Sequence, residues 1–232
     1  MQLSMVAEHR YYLAMCLYIL LVAIVGFWPT FYGPLLSGTL ELKRVLIFHG
    51  IIFSSWTLVL VIQAAIASSG KTALHRRLGK YAAAYAAFIV LIGFYTMHDK
   101  FVTNIANGDE LRAHSGWLIA LVDMVLFSSF MAAAIFYRKK PQIHKRLILV
   151  ATVAILGAAA GRISFLPNIP VVIAVFMAPI LIGMAFDWFT RRRPHAVYVI
   201  GFVVYPVSFI RVPLRESDAW ITFSRWLYSL LA

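Results

Sequence analysis

The sequence predicts an all-α bundle of about seven membrane-crossing helices followed by a short amphipathic helix, and three observations carry that expectation. Of the 232 residues, 62% are apolar and only 13% are charged, with a mean hydropathy of +0.83. A soluble domain carries about 45–50% apolar and about 25% charged residues. Apolar runs recur between short charged clusters, and about 20 apolar residues suffice for a helix to cross the hydrocarbon core. The cations are gathered in alternate loops. Together these exclude a disordered chain and an ordinary cytosolic enzyme. The single Cys16 excludes a disulfide framework or a thiolate metal cluster within one chain.

The apolar runs place spans near 11–31, 45–67, 78–98, 115–137, 147–166 and 171–190, with a shorter seventh over 196–212 interrupted by Pro206. The first run is too long for the apolar core of a signal peptide and lacks a small-residue cleavage site, so it reads as a span. Arg10, Lys71, Arg76, Arg77, Lys80, Arg138, Lys139, Lys140, Lys145, Arg146, Arg191, Arg192 and Arg193 lie on one side, against only Glu8 and Asp187. The other side holds eight cations and six acids. Since Lys and Arg accumulate in cytoplasmic loops, the amino terminus is expected in the cytoplasm. The net charge of +12 is then an orientation signal, and no nucleic-acid partner is expected. Residues 1–213 form the expected bundle, with spans 2–5 (about 45–166) as its core.

Residues 214–232 form the tail. Within it Trp220, Phe223, Leu227 and Leu230 share one stripe, with Ser224, Arg225 and Ser229 off it. It is too short to span and suits a helix lying at the outer interface.

An internal repeat runs through the core. His75-Arg76-Arg77-Leu78 opens span 3 and His144-Lys145-Arg146-Leu147 opens span 5; His49-Gly50 opens span 2 and His114-Ser115-Gly116 opens span 4. With alternating topology, His49 and His114 share outer depth, while His75 and His144 share inner depth. Two imidazole pairs from the helices of one bundle are what two b-type haems need, because neutral imidazole is an axial ligand. Gly79, Ala82, Ala86 and Gly93 follow His75 along one face, as Ala151, Ala154, Ala158 and Gly161 follow His144. Small residues admit a flat macrocycle, or equally a neighbouring helix. Arg76, Arg77, Lys145 and Arg146 flank the inner histidines, and Lys43, Arg44 and Arg112 the outer ones, as candidate partners for propionates. On span 2 a seven-residue spacing aligns His49, Trp56 and Gln63, and Gln63 is expected deep in the span, facing the bundle interior.

The stretch Phe48-His49-Gly50 with Trp56 resembles the first haem-helix signature of the transmembrane b-type cytochromes, the ascorbate-reducible ferric reductase-like family. The resemblance implies four core helices carrying paired histidines, His49 with His114 and His75 with His144, and up to two haem b groups. The chain departs from that family in its seven spans rather than six and in inner histidines at the membrane edge. It more closely resembles uncharacterised bacterial inner-membrane families in which an HG…W…Q segment precedes HRxLG, here His49 to Gln63 and then His75 to Gly79. That likeness covers roughly 45–165 and implies a bacterial cytoplasmic membrane, but no activity.

Other readings of these residues stay open. The basic turns at His75 and His144 suit anchoring to anionic headgroups. His49, His114, His98 and Asp99 share outer depth and could hold Zn²⁺ or Cu²⁺. Asp123 is the acid well inside a span, with Arg162 as its expected partner; Asp187 is expected to pair with Arg191 or a neighbour. No phosphate loop, dinucleotide fingerprint, nucleophile triad or HExxH zinc motif is present. The leading expectation is a haem b protein moving electrons across or within the membrane. The alternatives are a non-catalytic subunit or assembly factor that packs against other membrane-complex subunits, and a metal- or proton-coupled carrier using His49, His98, Asp99 and Asp123.

Overall fold

The structure is a computed structural model that describes residues 5–230; the tail position Ala232 lies outside them. Eight main helices follow in order: α1 (Met5–Phe27), α2 (Arg44–Ser68), α3 (Thr72–Ala106), α4 (Glu110–Phe136), α5 (Pro141–Ala160), α6 (Ile169–Arg191), α7 (Ala196–Ser208) and α8 (Asp218–Ser229). There is no strand among the described residues. Seven segments, built on α1 to α7, are long and apolar enough to cross a membrane. The chain is a multi-pass membrane protein of the all-α class. The face carrying the start of α1 is called the N-terminal face below, and the opposite one the far face.

Local chemistry explains the ends. Pro29 and Pro34 interrupt the hydrogen-bond ladder after α1, which widens into a π-helical turn at Trp28–Tyr32 and a short helix at Gly33–Ser37. Gly38 then closes it at φ +72°, a left-handed conformation that glycine adopts without strain. Asp109 caps α4 by accepting from the Arg112 N–H at 3.1 Å, and Asn168 caps α6 through the Val171 N–H at 3.1 Å. Pro141 opens α5, where its missing N–H costs nothing. Helices α3, α4 and α5 all start before the apolar runs do, because polar caps and basic turns precede the hydrocarbon. His75, His114 and His144 therefore sit inside first turns rather than ahead of them. Helix α3, at 35 residues, would be about 52 Å long, well beyond a bilayer's hydrocarbon thickness of about 30 Å.

Helices α1, α2, α3, α4 and α5 close a ring in which each packs on the next and α5 returns to α1; α6 and α7 cover α5 from outside. Helix α5 is accordingly the most enclosed, with Leu149, Val150, Ala151, Thr152, Val153 and Ala154 all buried. Inside the ring the Trp56 indole meets Phe127 edge-on and donates to Thr152 Oγ1 at 3.3 Å. The contact between α1 and α5 is backbone-close: a Cβ on Gly26 would fall 2.1 Å from the Ala159 carbonyl oxygen. Large apolar side chains such as Leu21, Leu91, Phe136, Phe189 and Val203 cover the outside, where lipid is their apolar environment.

The seventh segment, Ala196–Leu214, is long and apolar enough to cross. Pro206 falls in the last turn of α7, where the helix is ending anyway, and a short helix at Arg211–Leu214 follows. Helix α8 then packs on the start of α4 at the far face. This is the face expected for the tail from a full crossing.

Candidate functional site

At the N-terminal face, His75 on α3 and His144 on α5 lie on the two helices that flank α4, near enough for their charges to interact. The His144 Nδ1 lies 2.8 Å from the Ala134 carbonyl oxygen. Only an Nδ1–H can make that bond, so neutral His144 keeps its Nε2 lone pair free. His75 is met by Gln63. With the carboxamide turned as its neighbours require, Gln63 Nε2 donates to His75 Nδ1 at 2.6 Å, and Oε1 accepts from the Gly79 N–H at 3.3 Å. The residues of the HG…W…Q and HRxLG segments thus meet across the α2–α3 hairpin. Gln63 lies five residues from the end of α2, not deep in the membrane as its span position suggested. Gly79, one turn past His75, faces open space.

Beside this pair is a buried charge network that ties together α1, α5, α6 and the start of α7. Arg146 and Asp187 are both fully buried and joined twice, Nε to Oδ2 at 2.9 Å and Nη2 to Oδ1. Arg146 Nη1 also donates to the Gln142 carbonyl at 2.7 Å and to its Oε1 at 2.8 Å, and the guanidinium lies 5.6 Å from the Tyr198 ring centre. Asp187 Oδ2 accepts from the His195 N–H at 3.2 Å. Around the rim, Glu8 pairs with Lys145 at 2.8 Å and with Arg191 at 2.9 Å. Burial and the Arg146 charge, in that order, hold the His195 imidazole below its usual pKa of 6.5, which suits a ring whose Nδ1 accepts from the Val197 N–H.

These contacts correct one expectation. Lys145 and Arg146 were candidate partners for an anionic ligand, but Glu8 and Asp187 already hold them, and Arg146 is closed off from solvent. Arg76 and Arg77 are exposed and make no ion pair among the described residues.

The outer pair is not assembled in the same way. The charges that reach His49 are Lys100 and Arg162, whereas those reaching His114 are Arg225 and Glu110. His49 stacks on Phe53 with ring centres 4.1 Å apart, and its Nδ1 is buried without a partner. His114 is 2% exposed because α8 covers it. Its Nδ1 lies 2.7 Å from Ser224 Oγ, and the Trp220 indole donates to its carbonyl at 2.9 Å. Arg44 and Arg112 are exposed on this face, as is His98; Asp99 is half-buried. Among the described residues no group of three or more His, Cys, Asp or Glu is arranged to hold a metal ion. The outer Zn²⁺ or Cu²⁺ site from His49, His98, Asp99 and His114 is therefore not formed.

Asp123 finds a different partner from the one expected. Arg211, just past α7, reaches back to it at 2.6 Å, while the Arg162 guanidinium donates instead to the Ala158 carbonyl and covers the Phe27 ring. Sequence depth matched Arg162 to Asp123; the order of helices around the bundle brings Arg211 there instead. Gln142, Ser224 and Arg211 carried no sequence signal that would have marked them. No family model, no curated protein and no solved structure matches this chain. Its class rests on its own helices and side chains: an all-α multi-pass membrane protein with a histidine pair at one face.

Proposed function

We propose that the protein is a membrane haem b protein that carries electrons within a bacterial cytoplasmic membrane, with one haem held between His75 and His144. The observation that carries this reading is the juxtaposition of those two imidazoles from the helices on either side of α4. The residues fit the group in two further respects. A Cβ on Gly79, one turn from His75, would meet nothing within 4 Å, so that face of α3 is open. His144 already holds the tautomer of a metal-ligating histidine, with Nδ1–H engaged by a carbonyl and Nε2 free.

Bound haem supplies one-electron iron chemistry. The chain's own residues do the rest. The Ala134 carbonyl fixes the orientation of His144. Gln63, donating from Nε2 to His75 Nδ1, holds the orientation of that ring. Arg76 and Arg77 are the unpaired cations next to the pair and suit propionates. Basic loops on the N-terminal face support a cytoplasmic amino terminus.

A reduced-minus-oxidised absorption spectrum of protein purified from haem-replete cells tests the reading. A b-type difference spectrum is expected. A colourless preparation without iron would refute it and favour a non-catalytic subunit of a larger membrane complex.

A further inference from the structure

Towards the far face, α2 and α3 enclose a groove of about 430 Å³, lined by Arg44, Val45 and Phe48 of α2 and by Ile92, Tyr95 and Thr96 of α3. Ile92, Tyr95 and Thr96 follow the i, i+3, i+4 spacing of one helix face, and Arg44 with Phe48 does the same on α2. Two contacts bound the groove. At its water end Lys43 Nζ donates to Thr103 Oγ1 at 2.7 Å. At its inner end Phe48 meets Phe88 edge-on, with ring centres 6.3 Å apart. Between these ties Val45 and Thr96 carry short side chains, which leave the helices apart.

The chemistry of the walls changes with depth. Helices α2 and α3 form an antiparallel hairpin turning at Gly70, so by equal counts from the turn Arg44 stands level with Thr96, and Phe48 with Ile92 one turn deeper. Polar groups therefore lie above apolar ones. Arg44 is exposed and makes no ion pair among the described residues. Thr96 is 5% exposed, and its Oγ1 has no hydrogen-bond partner among them. A helical hydroxyl can return its proton to the carbonyl four residues back. Ser55 does so to Ile51 at 2.7 Å and Thr152 to Ile148 at 2.9 Å, but Thr96 does not. Phe48 and Tyr95 are exposed, as are Ile51 and Leu91 beside them, so the groove opens sideways onto the apolar surface that lipid covers.

We propose that this groove holds one anionic phospholipid of the far leaflet, its phosphate on Arg44, an acyl chain along Val45, Phe48 and Ile92, and Thr96 Oγ1 turned to donate to an ester oxygen. The order of groups down the groove is the order down a phospholipid: anion, ester oxygens, hydrocarbon. Guanidinium matches phosphate with paired, charge-assisted hydrogen bonds. A choline headgroup brings a cation of its own that offsets this attraction, whereas a glycerol headgroup does not, so a net negative lipid is preferred. The ester oxygen supplies the acceptor that the Thr96 hydroxyl lacks. The site is independent of any haem at the opposite face.

The test uses the full chain, delipidated in mild detergent, titrated with phosphatidylglycerol or phosphatidylcholine and read by native mass spectrometry. Phosphatidylglycerol is expected to bind several-fold more tightly than phosphatidylcholine. Arg44→Gln should weaken its binding by roughly tenfold or more and abolish the preference. Thr96→Val keeps the shape and removes the hydroxyl, so it should weaken binding by roughly two- to tenfold. It should leave the unfolding midpoint of the lipid-free chain unchanged, since that hydroxyl bonds nothing within the protein. Arg215→Gln, at a far-face cation paired with Glu216, should leave binding unchanged. On the wild-type chain, equimolar phosphatidylglycerol with a diazirine near the top of an acyl chain should label residues 44–48 and 92–96. Equal binding of the two lipids, unchanged binding in folded Arg44→Gln, or labelling confined to other segments would each overturn the proposal. A lipid-free dimer in the same spectra would overturn it in favour of a second copy of the chain on this face.

Discussion

Replacing Arg146 by methionine is the perturbation whose cost follows most directly from the structure. The substitution keeps an unbranched side chain of comparable reach but removes a fully buried guanidinium that donates twice to Asp187 and twice to Gln142. Asp187 is then left buried, holding only the His195 N–H at 3.2 Å and Arg191 Nε at 3.6 Å. Breaking a buried ion pair from one side costs about 3–5 kcal/mol, mostly because the remaining charge is uncompensated. Arg191 remains in place to compensate in part, so a loss near the lower end, about 3 kcal/mol, is expected. Replacing both members, Arg146→Met with Asp187→Leu, removes the stranded charge and should cost about 1 kcal/mol or less. The assay is reversible unfolding in mixed micelles, titrated with sodium dodecyl sulfate and followed by far-ultraviolet circular dichroism. A single variant within about 0.5 kcal/mol of wild type, or a double variant as unstable as the single, would refute the reasoning.

Other consequences are equally specific. Gly26→Ala drives a methyl into the Ala159 backbone, which has no rotamer to yield, and should destabilise by about 1–3 kcal/mol or more in the same assay. Ser224→Ala removes the Oγ that holds buried His114, so α8 should detach more often and be cut by trypsin at Arg225 several-fold faster, with the rest of the bundle intact. For His195, burial lowers the folded-state pKa below 6.5, so the folded protein binds fewer protons than the unfolded one. Its contribution is complete above pH 6.5 and is lost as the pH falls from there through the folded-state value. His195→Asn keeps a capping oxygen without a titrating ring and should flatten that part of the stability profile.

Much of the fold was legible in the sequence, and the reasons it was legible also mark where reading stops. Apolar runs locate α2 to within a residue at each end, since a membrane demands hydrophobicity over a set length. They place the starts of α3, α4 and α5 about five or six residues late, because each helix opens with a polar or basic turn, capped by Asp109 in α4 and opened by Pro141 in α5, that hydropathy does not register. The lone acids Asp123 and Asp187 were recognisable as needing cations, but which cation answers depends on helix order around the ring. Asp187 takes Arg146, hidden in a basic run that reads as a topology signal, as well as its helical neighbour Arg191. Asp123 takes Arg211 from the short helix that follows α7. The four histidines were visible as a repeat; in the structure His75 and His144 are near enough for their charges to interact, while His49 stacks on Phe53 and His114 meets Ser224. The fate of His114 is decided by α8, whose docking on α4 no local pattern announces.

The central claim is that a single haem is held by the N-terminal-face pair. Its most direct test is haem per chain, measured as pyridine haemochrome, in His49→Ala, His75→Ala, His114→Ala and His144→Ala variants purified alongside the wild type. The account predicts about one haem per chain in the wild type, retained in His49→Ala and His114→Ala and lost in His75→Ala and His144→Ala. Haem that survives loss of either His75 or His144, or that disappears with His49 or His114, would contradict it.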